Sequence, residues 1–328
     1  MTTRINTQHV RPGLPERIWV YTGGWIGLAL RLGIVALAAL AASQHVLRGD
    51  SLLILLAIAV PGALLARRGA MPLAIYTTAW LAFSLIRAVM DDLGMPDQGG
   101  FFAKIDRLLA GGMTPTERLQ DAFYTPGSTG MLDLLTTSVH TSYYVMPHLV
   151  AVGLWWYGSR TGNRLAFRSY LAGSIAVMAL GLLLYGLLPT SPPWIEATVE
   201  DEMLVHRITS ATNASETRDP DQVYTFFTDP NPIAAMPSLH TAITVLMAAA
   251  LWRVRPALGI AGGVYALTMG FSLIYLGEHY LVDVLAGAVL AITVAVVADR
   301  WLADRRVRWA GHADRKRHAR SPATAPGD

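Results

Sequence analysis

The chain has 328 residues, of which 53% are hydrophobic and only 15% charged, and its mean hydropathy is +0.38; a soluble protein of this length needs more charge than that to cover its surface. Cysteine is absent, which excludes thiol catalysis, thiolate metal sites and disulfides. The net charge of +3 does not point to nucleic acid, because the basic residues gather in short loops and in the tail, as membrane topology requires.

Apolar runs of about 18 residues or more read as bilayer spans. In chain order eight are expected, at about 20–43, 51–66, 71–90, 138–158, 165–188, 237–253, 257–277 and 279–302. A basic segment, 1–18, precedes them with Arg4, Arg11 and Arg17, and a basic tail, 303–328, follows, whose Ser, Pro and Gly content predicts disorder. The small residues of Ala36–Ser43 look like a signal-peptidase site, but the run is long and holds Arg31, so an uncleaved first span is expected. Alternate loops are basic: Arg67 and Arg68, then Arg160, Arg164 and Arg168, then Arg253 and Arg255. By the positive-inside rule these loops and both termini are cytoplasmic. The long connections 91–137 and 189–236, the second with Glu196, Glu200, Asp201 and Glu202, then lie outside.

Two short stretches set ionisable groups against apolar surroundings. Met236-Pro237-Ser238-Leu239-His240 opens the sixth span, and Gly277-Glu278-His279-Tyr280-Leu281-Val282-Asp283 opens the eighth. Both fall at outer ends, so they can meet. On a helix His279 and Asp283, four apart, share a face and can hydrogen-bond; a carboxylate on one ring nitrogen fixes the tautomer and leaves the other basic. The plain alternative is a pair that only ties helices together, yet an ionisable residue at the membrane margin is costly and by default functional. Pro237 suits a first helical turn, and the N–H groups after it, beside Ser238 and His240, form a natural phosphate site. The plain alternative there is a Pro-Ser helix start with an interfacial histidine. Pro189-Thr190-Ser191-Pro192-Pro193-Trp194, at the end of the fifth span, caps the interface or walls the site.

Pro237-Ser238-Leu239-His240 followed by His279-Tyr280-x-x-Asp283-Val284-x-Ala286-Gly287 resembles the type 2 phosphatidic acid phosphatase superfamily. More narrowly it is similar to the branch holding fungal inositol phosphorylceramide synthases and, more distantly, sphingomyelin synthases. The turn at 189–194 resembles that branch's Pro-Pro-Trp segment, and Asp106-Arg107-Leu108-Leu109-x-Gly111, with Pro115, Leu119 and Gln120, resembles a connecting segment of its bacterial members. The upstream Lys-x6-Arg-Pro motif of the phosphatases is missing; Lys104 and Lys316 are the only lysines, and Leu273 stands where an arginine usually precedes the third-motif histidine. Two phosphate-gripping cations are thus absent, which favours phosphodiester chemistry over simple monoester hydrolysis. Arg87, at the outer end of the third span, is the best replacement by position, with interfacial snorkelling as its plain reading. His140 and His148 read as packing or lining residues.

The resemblance implies an all-α, polytopic transmembrane helical bundle with a six-helix phosphatidic acid phosphatase-like core over about 71–302, within a transmembrane domain of 19–302. It implies a metal-independent lipid phosphotransferase or phosphatase in the cell membrane, needing no cofactor, its site facing outside. His279 would attack phosphorus, Asp283 orient it and His240 protonate the leaving oxygen, with Ser238 and Arg87 binding substrate. The partners expected are a phospholipid or polyprenyl phosphoester donor and a lipid or small alcohol acceptor, or water; phosphoinositol is one headgroup that would fit. Two other classes fit the residues alone: a proton-coupled transporter using the His/Asp cluster as a relay, although no internal repeat is visible, and a non-catalytic lipid-binding membrane protein.

Overall fold

The computed structural model describes residues 71–87, 94–199, 205–209 and 233–318. The N-terminal segment, the spans expected at 20–43 and 51–66 and the Ala36–Ser43 stretch lie outside the described residues, as do 319–328. The chain divides into two compact units, Met1–Ile86 and Arg87–Asp328. The first is described only in helix α1 (Met71–Arg87), which ends at the start of the second unit. On α1, Tyr76, Trp80 and Phe83 recur at helical spacing and meet edge to face, ring centres 6.2 and 6.1 Å apart.

The second unit contains α2 (Gly99–Leu109), α3 (Pro115–Phe123), α4 (Met131–Ser142), α5 (Met146–Thr161), α6 (Leu165–Leu187), α7 (Pro193–Val199), α8 (Leu239–Trp252), α9 (Pro256–Tyr275) and α10 (Leu281–His318). Helices α6, α9 and the Leu281–Trp301 part of α10 are long and apolar enough to cross a membrane; α8 is apolar but shorter. No β-strand occurs among the described residues. The chain is a helical membrane protein.

Helix α8 is the central element. It packs against α6, α9 and α10 and buries Ala242, Ile243, Leu246, Met247 and Ala250. With lipid as apolar as leucine, helices in a bilayer associate through close packing, which small residues permit. Gly287 of α10 shows this best: an added Cβ there would overlap the carbonyl oxygen of Ser238. Only glycine lets the start of α8 come so close to α10, and this contact brings the two histidine stretches together.

Three expectations are corrected. The span expected at 138–158 is two helices, α4 and α5, separated at Tyr143–Val145. Through that break the amides of Tyr143, Tyr144 and Val145 bond to carbonyls three residues back. Pro147 can give no N–H to carry the ladder back towards Tyr143, and it sits in the first turn of α5, where a missing N–H costs nothing. The last span, expected from 279, begins at Leu281, because the chain first turns through Gly277 at φ 79°, in the left-handed region that glycine tolerates. Helix α10 then continues to His318, beyond 302, so the tail expected to be disordered starts as helix.

The long connections are anchored to each other. Thr190 and Ala234 form a parallel β-bridge, with Thr190 N–H donating to the Ile233 oxygen at 2.6 Å and Ala235 N–H to the Thr190 oxygen at 3.0 Å. Asp97 accepts from Ser191 N–H at 2.8 Å, and Gln98 N–H donates to the Pro189 oxygen at 2.8 Å. The Pro-Pro-Trp turn is therefore fixed beside the entry to α8.

Candidate active site

Helix α8 starts from Ser238. Its hydroxyl accepts the Thr241 N–H at 3.3 Å, the usual service of an N-cap serine, and its own N–H donates to the Asp283 carbonyl at 3.0 Å. Ser238 is fully buried. Expected to bind substrate, it is placed as the cap and as the link between the two motifs.

His279 sits just before α10, and its N–H reaches back to the Leu273 oxygen at 3.2 Å. The His279–Asp283 pair therefore spans the helix start and does not lie along one helical face. Nδ1 of His279 is 3.5 Å from Oδ2 of Asp283, within ion-pair distance, without forming a hydrogen bond. The same oxygen accepts the Tyr280 N–H at 2.9 Å, which holds the carboxylate towards the histidine. Asp283 is solvent-inaccessible and His279 is buried.

The structure brings His240 and His279 together, ring centres 5.6 Å apart. It also brings two groups that the sequence left aside. His140, read as a packing or lining residue, lies 5.1 Å from His240 between ring centres, and Tyr143, from the α4–α5 break, lies 4.2 Å from it. His148 is buried on α5. His240 Nε2, His279 Nδ1 and Asp283 Oδ1 are buried with no hydrogen-bond partner among the described residues. Buried polar atoms are nearly always paired, so three such atoms in one cluster mark a place built for something besides packing.

Arg87 is half-buried, with its guanidinium over the Tyr185 ring at 5.6 Å. It interacts electrostatically with Tyr143, Tyr144 and His240, which sets it on the edge of the cluster. Sequence reading missed Arg207, which grips Glu278 with two donors, at 3.1 and 3.3 Å. Burial works against the Glu278 carboxylate, but Arg207 and the Thr209 hydroxyl outweigh it and hold its pKa below the ordinary value. Asp106 was noticed only as part of a motif. Its carboxylate accepts the Leu281 and Val282 N–H groups at 2.7 and 3.0 Å, capping α10 from a distant helix. Burial raises its pKa to about 6 against the opposing pull of those two bonds.

Residues 128–297 match the PAP2 superfamily, a stretch that runs from before α4 into α10 and takes in both histidine motifs. The chain belongs to the PAP2 superfamily. Inositol phosphorylceramide synthase of Candida albicans is 27% identical over 173 residues, covering 51% of this chain and 36% of that protein. The inositol phosphorylceramide synthase catalytic subunit aur1 of Schizosaccharomyces pombe is 30% identical over 125 residues, 37% of this chain and 30% of that one. The chain thus spans about a third of the length of the curated relatives it matches. No solved structure matches it. Within the superfamily the chain is similar to the inositol phosphorylceramide synthases.

Proposed function

We propose that this PAP2 superfamily member moves a phosphoryl-linked headgroup from a membrane lipid to an alcohol or to water through a phosphohistidine on His279. The observation that carries this reading is the His279–Asp283 pair, 3.5 Å apart, with the His240 ring 5.6 Å from that of His279. One phosphoryl group can lie between two imidazoles so placed, as in-line transfer requires.

The two histidines take different parts. Asp283 faces Nδ1 of His279 and favours the tautomer that keeps the proton there, which leaves Nε2 as the nucleophile. His240 has no such carboxylate. Four residues on is Thr244, whose hydroxyl bonds back to the His240 and Thr241 carbonyls at 3.0 and 2.9 Å. In the first step the Nε2–P bond forms, the bond from phosphorus to the leaving oxygen breaks, and His240 gives that oxygen its proton. In the second, His240 takes the proton of the incoming hydroxyl, the new O–P bond forms and the N–P bond breaks, restoring His279. No net redox change or additional reactant is needed.

The names of both relatives support a phospholipid donor with a headgroup such as phosphoinositol and a lipid acceptor. The alternating basic loops support a cell-membrane protein with both termini inside and the site at the outer face. The deciding experiment compares the lipids of a strain lacking the gene with those of its parent and of a strain carrying His279→Gln. A lipid class lost equally in the deletion and the variant identifies the product; unchanged lipids in both would end the proposal.

A further inference from the structure

Phosphoryl transfer builds negative charge on the equatorial oxygens of the phosphate, and cationic donors already in place stabilise it most. The chain lacks the Lys-x6-Arg-Pro motif, and Leu273 replaces the other usual arginine. A cation must therefore come from elsewhere in the fold.

Arg207 is held by several independent contacts against Glu278, the residue that precedes His279. Its Nε and Nη2 donate to the two oxygens of Glu278 at 3.1 and 3.3 Å, and Glu278 is the residue before His279. The guanidinium lies over the Trp194 ring at 3.7 Å, and its side chain is 13% exposed. The peptide that carries it is pinned as well. Gln120 accepts the His206 N–H at 2.8 Å and donates to the His206 oxygen at 2.9 Å and the Tyr275 oxygen at 2.8 Å. Both Arg207 and Glu278 interact electrostatically with His140, the ring packed on His240.

A guanidinium is planar and permanently charged, with five donors in a fixed fork that matches phosphate oxygens; Glu278 engages two of those donors. As a device for stability alone the ion pair is a poor choice, because desolvating two charges offsets much of their attraction. As a way of holding a cation still beside a reacting phosphate, it avoids reorganisation during the reaction. We propose that Arg207 is a substrate-binding residue that contacts the phosphate oxygens of the lipid donor, held in place by Glu278 and Trp194. This rests on the phosphoryl-transfer reading above.

The test uses the full chain in lipid nanodiscs and orthovanadate, a mimic of the transferring phosphoryl group, with affinity measured by calorimetry. The wild type binds vanadate. Arg207→Gln weakens binding roughly 10- to 100-fold, the range for losing a charged hydrogen-bond donor, and Arg207→Lys falls between the two. Free guanidinium ion restores binding to Arg207→Ala. If the wild type fails to bind vanadate, the phosphoryl-transfer reading itself falls. If the wild type binds and every Arg207 variant matches it, only the role of Arg207 falls. Arg207→Lys as weak as Arg207→Ala, with no recovery in guanidinium, would reduce Arg207 to a structural tie and overturn the proposal.

Discussion

Asp106 accepts the backbone N–H of Leu281 at 2.7 Å although 175 positions separate them. A buried carboxylate on α2 thus caps the helix that carries Asp283, and it does so against the cost of burial, which raises its pKa to about 6. The sign of the resulting pH dependence follows from linkage. The folded protein holds this proton more tightly than the unfolded chain, whose aspartate titrates near 3.8. Protonation therefore favours folding: the contribution is full below about pH 4 and is lost as the pH rises through about 6. Asp106→Asn has no proton to lose and should flatten this part of the profile. Thermal unfolding of both proteins between pH 4 and 7 checks it, and an unchanged slope in the variant would assign the pH dependence elsewhere.

His279→Gln should abolish turnover and also abolish covalent labelling of the protein by a phosphate-labelled lipid donor. Asp283→Asn should retain some of both, because it removes orientation and charge support but leaves the nucleophile. His240→Gln should cripple turnover by a factor of roughly 100 to 10,000, the contribution of a positioned proton carrier. Near-normal turnover in His279→Gln, with labelling lost in His240→Gln, would reverse the two roles.

Gly287→Ala should separate α8 from α10. The added methyl meets the Ser238 carbonyl oxygen, which is backbone and cannot swing aside. Overpacking of this kind costs about 1–3 kcal/mol. Because the same contact sets the spacing of His240 and His279, activity should fall more than stability does. A variant that unfolds at a lower temperature yet turns over normally would show that the two motifs need no such close approach.

Gln120→Ala should loosen the segment that carries Arg207. Its amide makes three hydrogen bonds to backbone groups of His206 and Tyr275, and Gln120 is only 4% exposed. Each buried group left unpaired costs about 1–3 kcal/mol. Proteolysis under native conditions should find a new cleavage site near residue 206, which the wild type protects; equal protection in both would deny Gln120 this role.

The cluster of His240, His279 and Asp283 could be read from the chain because each member stands out locally: an ionisable residue beside a long apolar run, and a His/Asp spacing of four. Helices α6, α8 and α9 could be read because their apolar runs have clear polar ends. The α4–α5 break was hidden, since Tyr143, Tyr144, Val145 and Met146 keep the stretch apolar and a proline such as Pro147 is tolerated inside many membrane helices. His140 was hidden for a different reason: a lone histidine on an apolar helix carries no sign of what it will face. Arg207 sits among other charges in a long polar connection, and no periodicity marks it. Asp106 lies 175 positions from the amide it caps, a partnership that only the folded chain reveals.

Orientation can be tested at two positions that the structure exposes. Ser128 lies in the turn between α3 and α4, and Thr161 ends α5; both are exposed. The basic-loop pattern puts the first outside and the second in the cytoplasm. With no native cysteine in the chain, Ser128→Cys and Thr161→Cys each present a single thiol. A membrane-impermeant thiol reagent on intact cells should label Ser128→Cys and leave Thr161→Cys untouched until the inner face is opened. The result also bears on the site, because the connection holding Ser128 includes α2, whose Asp106 caps the start of α10 beside His279 and Asp283. The reverse pattern would turn the site to the cytoplasm and limit its donors to inner-leaflet lipids. Equal labelling of both positions in intact cells would mean that the basic loops do not fix the orientation.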